Sequence, residues 1–288
     1  MALIDIDAYS PREIARKVET LGVTKARTDT LSLLVLAVLA GAFIALGAIF
    51  FLVVATDSAL GFGANRLLGG LSFSLGLILV VVGGAELFTG NNLIAMAWAS
   101  RRVTVAEVLR NWGLVYLGNA IGALGTVALV AIGGVHRLGG GAVGETVLAV
   151  GYHKASLGFW EAGALGILCN ALVCLAVWLA MGGRGVADKI AAIVFPITAF
   201  VTIGFEHSIA NLFFLPYAIA LDGFGSSSLW LGSFRNLIAV TIGNILGGTL
   251  LVAGVYWVAY LREGRRAGPA DRPKDPEDAP GGGTGAAS

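Results

Sequence analysis

The sequence predicts an all-α membrane protein with six transmembrane helices in an inverted three-helix repeat, in which helices two and five are broken. The first observation is composition. Of 288 residues, 57% are hydrophobic and only 13% are charged, whereas soluble domains carry about 25% charged residues. The other two observations are a series of long apolar tracts and a motif shared by two of them. The net charge of +1 gives no indication of nucleic-acid binding.

Residues 1–30 form the predicted cytoplasmic N-terminal segment. They are polar and lack the short apolar region of a signal peptide. Within them, Ser10 is a candidate helix cap, Pro11 suits the first helical position and Gly22 is a candidate stop. We therefore expect a helix over Asp5–Gly22 that lies along the membrane surface.

The transmembrane domain is predicted over residues 31–262. A span needs about 20 apolar residues, and four uncharged tracts meet that length: Leu31–Ala55, Trp112–Val135, Ala162–Gly183 and Asn236–Leu261. Two longer tracts, Leu67–Ser100 and Ile190–Leu221, are interrupted near their middle by charged residues. Backbone that leaves the helix inside a membrane must be buried in protein or line a cavity. We interpret both tracts as broken helices; the alternative is an uninterrupted span with its charge near one end.

Basic residues predict the orientation. They are frequent in the N-terminal segment, after the second and fourth spans, and after the last span, whereas the opposite loops, one of which holds Arg66, are poorer. Cytoplasmic loops carry the excess of Lys and Arg, so both termini are expected in the cytoplasm. The polar, Pro- and Gly-rich residues 263–288 predict a disordered cytoplasmic tail.

Two motifs indicate the internal repeat. "ELFTGN" begins at Glu86 and "EHSIAN" at Glu206, and each broken tract is followed by a second match, "GNAIG" over Gly118–Gly122 and "GNILG" over Gly243–Gly247. A unit with an odd number of spans inserts the second copy upside down, so the broken helices meet near the bilayer midplane. Ordinary helix packing through glycine is the alternative explanation for the second pair of motifs.

Ionisable groups inside a membrane are usually functional. An unperturbed histidine titrates near neutral pH, so His207 could share a proton with an arriving weak-acid anion. Thr89, from the other break, is the expected hydroxyl partner. The alternative is a structural histidine bonded to a backbone carbonyl. A pore carboxylate would repel anions, so Glu86 and Glu206 are predicted to be structural and to accept backbone N–H groups at their breaks.

Four segments resemble the formate/nitrite transporter family: Phe73–Leu93, Leu165–Trp178, Phe200–Pro216 and Val240–Gly248. The similarity extends over nearly everything from the N-terminal helix to about Leu261. The resemblance implies a homopentamer of aquaporin-like protomers in the bacterial inner membrane, each with its own pore. It also implies transport without a cofactor or metal rather than an enzymatic reaction, with small monovalent anions, protons and membrane lipid as the partners.

The resemblance also assigns roles to residues. The pore and substrate-binding positions are His207, Thr89, Asn170, Asn244 and the vestibule lysine Lys154. The apolar constrictions are Phe73 and Phe200 toward the periplasm and Leu77, Phe88 and Val173 toward the cytoplasm. The mechanism it implies is that Lys154 attracts the anion, which crosses as the neutral acid while His207 and Thr89 supply or relay the proton. Passage of the bare anion past a protonated His207 is the competing mechanism.

Formate is the favoured substrate because "FSLGLIL" and "CLAVW" are closest to the formate branch, with nitrite and hydrosulfide as alternatives. "TGNN", which begins at Thr89, departs from several formate members, so the resemblance implies the pore but not its gating by pH. A remote alternative is an intramembrane enzyme using His207 and Glu206, but the spans contain no second histidine with metal-ligand spacing. A membrane anchor without flux would gain nothing from two broken helices.

Overall fold

The computed structural model describes residues 8–262. Its α-helices are α1 (Pro11–Arg27), α2 (Thr30–Ala55), α3 (Phe62–Gly83), α4 (Phe88–Asn91), α5 (Ala95–Ala99), α6 (Val105–Ile132), α7 (Ala142–Ser156), α8 (Phe159–Gly182), α9 (Val186–Ile203), α10 (Ser208–Leu221), α11 (Ser227–Leu246) and α12 (Val255–Tyr260). Short 3₁₀ segments cover Asn92–Ile94 and Val135–Gly141, and a π-helical stretch, Gly247–Gly254, joins α11 to α12.

Six helices in the described range are long and apolar enough to cross a membrane: α2, α3, α6, α8, α9 and the continuous Ser227–Tyr260. The prediction of an all-α, multi-pass membrane protein with six spans is confirmed. The shorter apolar helix α10 completes the fifth tract.

The N-terminal helix differs from the prediction. Ser10 does cap α1, in a box in which the Glu13 carboxylate accepts the Ser10 N–H at 2.7 Å. The predicted stop at Gly22 is wrong, because α1 continues to Arg27. A side chain at Gly22 would press against Ala97, so the glycine serves close packing instead of ending the helix. The predicted residues before 8 lie outside the described range.

Both broken tracts are interrupted where the Glu motifs lie. The first leaves the helix after Gly83 and resumes at Phe88; the second leaves it after Ile203 and resumes at Ser208. The residues that follow the two helix ends, Gly84 and Gly204, have φ of 79° and 94°. This left-handed conformation is one that glycine adopts without steric cost, so the glycines allow the chain to turn at the same point of each tract.

The packing order repeats between the two halves. α2 contacts α3 and α6, as α8 contacts α9 and α11, and the two interrupted helices α3 and α9 pack against each other. The last glycines of the two GN motifs, Gly122 and Gly247, make equivalent close approaches, since a side chain there would overlap the carbonyls of Val38 and Ile167. The glycines of these motifs therefore do serve helix packing.

Candidate functional site

The two breaks meet at His207 and Thr89. His207 is the cap residue of α10, and its Nδ1 accepts the Ala210 N–H at 3.1 Å. Its Nε2 lies 3.1 Å from the Thr89 hydroxyl, and both residues are buried. Because Nδ1 is an acceptor, a neutral ring carries its proton on Nε2. We therefore assign Nε2–H as the donor to Thr89, which leaves the threonine hydroxyl proton available to a ligand.

An apolar wall lies beside this pair. The Phe200 ring stacks on His207 with a centroid distance of 5.9 Å, and Phe73 meets Phe200 edge to face at 5.6 Å. Both phenylalanines are buried. The structure thus brings the two predicted outer constriction residues together, with Phe200 directly against the histidine.

Two cavities approach the breaks. The first, of about 290 Å³, is lined by Lys154, Glu206, His207, Phe73 and Phe200 among others; we call it the Lys154 cavity. The second, of about 250 Å³, is lined by a set that includes Lys25, Glu86, Leu77 and Leu87; we call it the Lys25 cavity. Three spans separate Lys25 from Lys154, so the cavities open at opposite ends of the bundle.

Glu206 is held by side chains. Its carboxylate accepts the Lys154 ammonium at 2.7 Å, the Asn211 amide at 2.7 Å and the Asn236 amide at 3.3 Å. Its backbone N–H donates to the Leu165 carbonyl at 3.4 Å. The expectation that this carboxylate accepts backbone N–H groups is therefore wrong, because side-chain ammonium and amide groups occupy its oxygens instead.

Glu86 has the same surroundings in the other half. Its carboxylate accepts from the Lys25 ammonium at 2.8 Å and the Asn91 amide at 2.7 Å, so here too the backbone expectation is wrong. Asn91 also donates to Asn111 at 3.0 Å, matching the contact of Asn211 with Asn236 at 2.7 Å. Lys25 belongs to α1 and Lys154 to α7, so each three-span repeat is preceded by a helix that supplies the lysine.

Asn119 and Asn244 tie each break to the adjacent span. The Asn244 amide donates to the Gly166 carbonyl at 2.8 Å and the Glu206 carbonyl at 3.0 Å, and its oxygen accepts the Ser208 N–H at 2.9 Å. Asn119 makes the equivalent contacts in the other half. Asn244 was predicted to be a pore residue, but both the amide nitrogen and the oxygen of its side chain are engaged in hydrogen bonds within the protein. Sequence reasoning missed Asn119, although the "GNAIG" motif contains it.

Asn170 links the two halves. Its amide nitrogen lies 3.2 Å from the Thr89 carbonyl and 2.7 Å from the Asn244 carbonyl. Its side-chain oxygen has no hydrogen-bond partner among the described residues. The residue therefore positions the helix that carries Thr89.

The three residues predicted for the inner constriction differ in whether they line a cavity. Leu77 lines the Lys25 cavity, but Phe88 and Val173 line neither of the two cavities. The Phe88 ring packs against Tyr116, with a centroid distance of 5.0 Å. Leu87, the counterpart of His207 in the first break, lines the Lys25 cavity instead. Aligning "EL" at Glu86 with "EH" at Glu206 could have identified it.

Comparison with known proteins identifies relatives over most of the chain. The family model described as formate/nitrite transporter matches residues 12–258. The formate channel FocA of Escherichia coli K12 is 44% identical over 274 residues, which cover 89% of this chain and 96% of that protein. A probable formate transporter of Methanothermobacter thermautotrophicus is 37% identical over 271 residues, covering 88% and 98%.

Solved structures give the same answer for the fold. A pentameric formate channel with formate bound has a TM-score of 0.72 and 39% identity, covering 81% of this chain and 98% of that one. A channel described as an FNT family ion channel has a TM-score of 0.76 and 29% identity, covering 85% and 98%. These relatives are named as channels or transporters, not as enzymes.

Proposed function

Because the chain belongs to the formate/nitrite transporter family, we propose that it transports formate across the membrane through a pore in each protomer. The observation that carries this proposal is the junction of the two breaks, where the buried His207–Thr89 pair lies between two oppositely directed cavities. The 44% identity to a formate channel over 89% of the chain supports formate as the anion. Nitrite and hydrosulfide are the alternative substrates.

The pore passes formate as the neutral acid. The contact between Phe73 and Phe200 offers a bare carboxylate nothing to replace its water, and burying an unpaired charge costs several kcal/mol or more. Formate that takes a proton in one cavity and releases it in the other crosses this wall without that cost. The Lys154–Glu206 ion pair lines the Lys154 cavity. It keeps the path of the substrate polar up to the contact between Phe73 and Phe200.

His207 and Thr89 hold the formic acid molecule between the constrictions. The neutral ring donates a hydrogen bond from Nε2–H to the Thr89 oxygen, so the threonine hydroxyl proton is directed to the substrate oxygen. A proton donated by His207 would have to come from a doubly protonated ring. Its second proton would lie on Nδ1, where the Ala210 N–H is directed. The intact cap therefore favours a ring that stays neutral and a proton that crosses on formic acid.

The assembly and the topology are also part of the proposal. We infer a homopentamer surrounded by lipid in the bacterial inner membrane, with residues 31–262 as the channel domain. Both termini are cytoplasmic, so the Lys154 cavity opens to the periplasm and the Lys25 cavity to the cytoplasm. Residues 1–30 then form the cytoplasmic N-terminal segment. The proposed disordered tail, 263–288, lies outside the described residues.

Uptake of radiolabelled formate into proteoliposomes tests the substrate. We expect saturable uptake well above that of empty liposomes, inhibited by unlabelled formate more strongly than by nitrite or hydrosulfide. The anion order follows from the relatives, which are named as formate channels or transporters. Uptake no faster than in empty liposomes would refute formate transport. Stronger inhibition by nitrite or hydrosulfide would show that this anion, and not formate, is the preferred substrate.

A further inference from the structure

We propose that Arg66, rather than Lys154, supplies the net positive charge that draws the anion into the Lys154 cavity. This inference rests on the proposed function, because it assigns one binding determinant to the same pore. Arg66 lies near the start of α3, lines the Lys154 cavity and is partly exposed to it.

The charge of Lys154 is already compensated. Its ammonium lies 2.7 Å from the Glu206 carboxylate, and the two side chains are only 12% and 4% exposed. Glu206 is the one carboxylate among the described residues that line this cavity. An approaching anion therefore meets an ion pair at Lys154, whose positive and negative charges largely cancel at a distance.

The charge of Arg66 has no such partner. Within residues 8–262, Arg66 forms no ion pair. Its Nε donates to the Thr202 carbonyl and its Nη2 to the Val201 carbonyl, each at 2.9 Å. Carbonyls at a helix end carry only partial negative charge, so they orient the guanidinium without neutralising it. Nη1 makes no hydrogen bond to the described residues and remains for a ligand.

The opposite cavity supports this assignment by contrast. The Lys25 cavity holds Lys25 and Glu86 as its charged lining residues among those described, and these two are paired. Counting back from the equivalent glycines Gly84 and Gly204, the counterpart of Arg66 is Val186. The two cavities thus differ by one positive charge. The ligand that this arrangement fits is a small monovalent carboxylate or oxyanion approaching from the Lys154 side.

Arg235 offers a matched control for the structural part of the role. Its Nη2 donates to the carbonyls of Ala155 and Leu157 at 3.1 and 2.9 Å, at the end of α7. It therefore binds two carbonyls at a helix end, as Arg66 does, but it does not line the Lys154 cavity. R235Q removes carbonyl contacts of this kind while leaving the cavity charge unchanged.

The test is formate uptake from the Lys154 side in oriented proteoliposomes, measured against formate concentration and ionic strength. For R66Q we expect a half-saturation concentration raised roughly five- to tenfold, with little change in maximal rate and a weaker dependence on salt. R66K should remain close to wild type, R235Q should keep the wild-type salt dependence, and uptake from the Lys25 side should not respond to R66Q. An R66Q protein with wild-type half-saturation and salt dependence, or an R66K protein as impaired as R66Q, would overturn the proposal.

A binding measurement separates this inference from the proposed function. Thermal unfolding of the detergent-solubilised protein is followed with formate, nitrite or chloride at constant ionic strength, with gluconate as the balancing anion. Ligands that bind the folded state raise its stability. We expect anion-dependent stabilisation in wild type and R66K that is weakened in R66Q. Equal stabilisation of wild type and R66Q, or none in wild type, would refute the Arg66 site whether or not formate is transported.

Discussion

Replacing His207 with alanine is expected to reduce formate flux about tenfold, because a buried hydroxyl left without its hydrogen-bond partner costs roughly 1–3 kcal/mol. The substitution removes the Nε2–H that supports the Thr89 hydroxyl at 3.1 Å. It also removes the cap on α10, which costs about 1 kcal/mol of stability. Formate flux in proteoliposomes and thermal unfolding in detergent measure the two effects separately.

His207→Asn is the matched control for the cap. Asparagine caps helices well, so the Ala210 N–H keeps an acceptor, but the shorter amide cannot also reach Thr89. We expect H207N to unfold near the wild-type temperature and yet to lose flux as H207A does. Wild-type flux in both variants between about pH 5 and pH 8 would make His207 a structural residue only.

The second large effect concerns the buried Lys154–Glu206 pair. Lys154→Met should destabilise the protein by about 3–5 kcal/mol, because it leaves a buried carboxylate without its cation. It should also suppress formate flux, since that carboxylate lines the Lys154 cavity. The double substitution K154M/E206Q replaces both charges with neutral groups of similar size, so it should recover most of the stability. Thermal unfolding of K154M, E206Q and the double variant gives the coupling free energy between the two residues.

The other repeat supplies the comparison for this cycle. Lys25 and Glu86 are 30% and 10% exposed in their side chains, against 12% and 4% for Lys154 and Glu206. Water screens the more exposed pair better, so K25M should cost less stability than K154M. A double variant K154M/E206Q no more stable than K154M alone would show that the ion pair is not what holds this break.

Much of the site could be predicted because the repeat leaves local motifs in the sequence. The Glu-to-Asn spacing located both breaks, and the expectation that the two breaks meet paired His207 with Thr89, which the structure places 3.1 Å apart. The six spans followed from apolar length alone. These features depend on short stretches of chain, where the sequence carries the information directly.

The ion pairs could not be predicted because they join distant segments. The predicted end of α1 at Gly22 leaves Lys25 outside the helix. The helix α7 is too polar to be recognised as a span, so the correspondence between α7 and α1 is not visible in the sequence. Charge compensation at Glu206 depends on Lys154, 52 residues earlier. The sequence places Arg66 in a loop between spans. In the structure it lies in the first two turns of α3 and lines the Lys154 cavity. Only the packed helices bring these groups together.

The central claim is that formate crosses as the neutral acid past a neutral His207. The most direct test counts protons and formate together, in proteoliposomes that hold a pH-sensitive dye and are supplied with radiolabelled formate. Empty liposomes give the correction for acid that crosses the lipid. We predict equal numbers of protons and formate entering, with no membrane potential created by the flux. Formate influx that makes the interior electrically negative without acidifying it would contradict the account and establish passage of the bare anion.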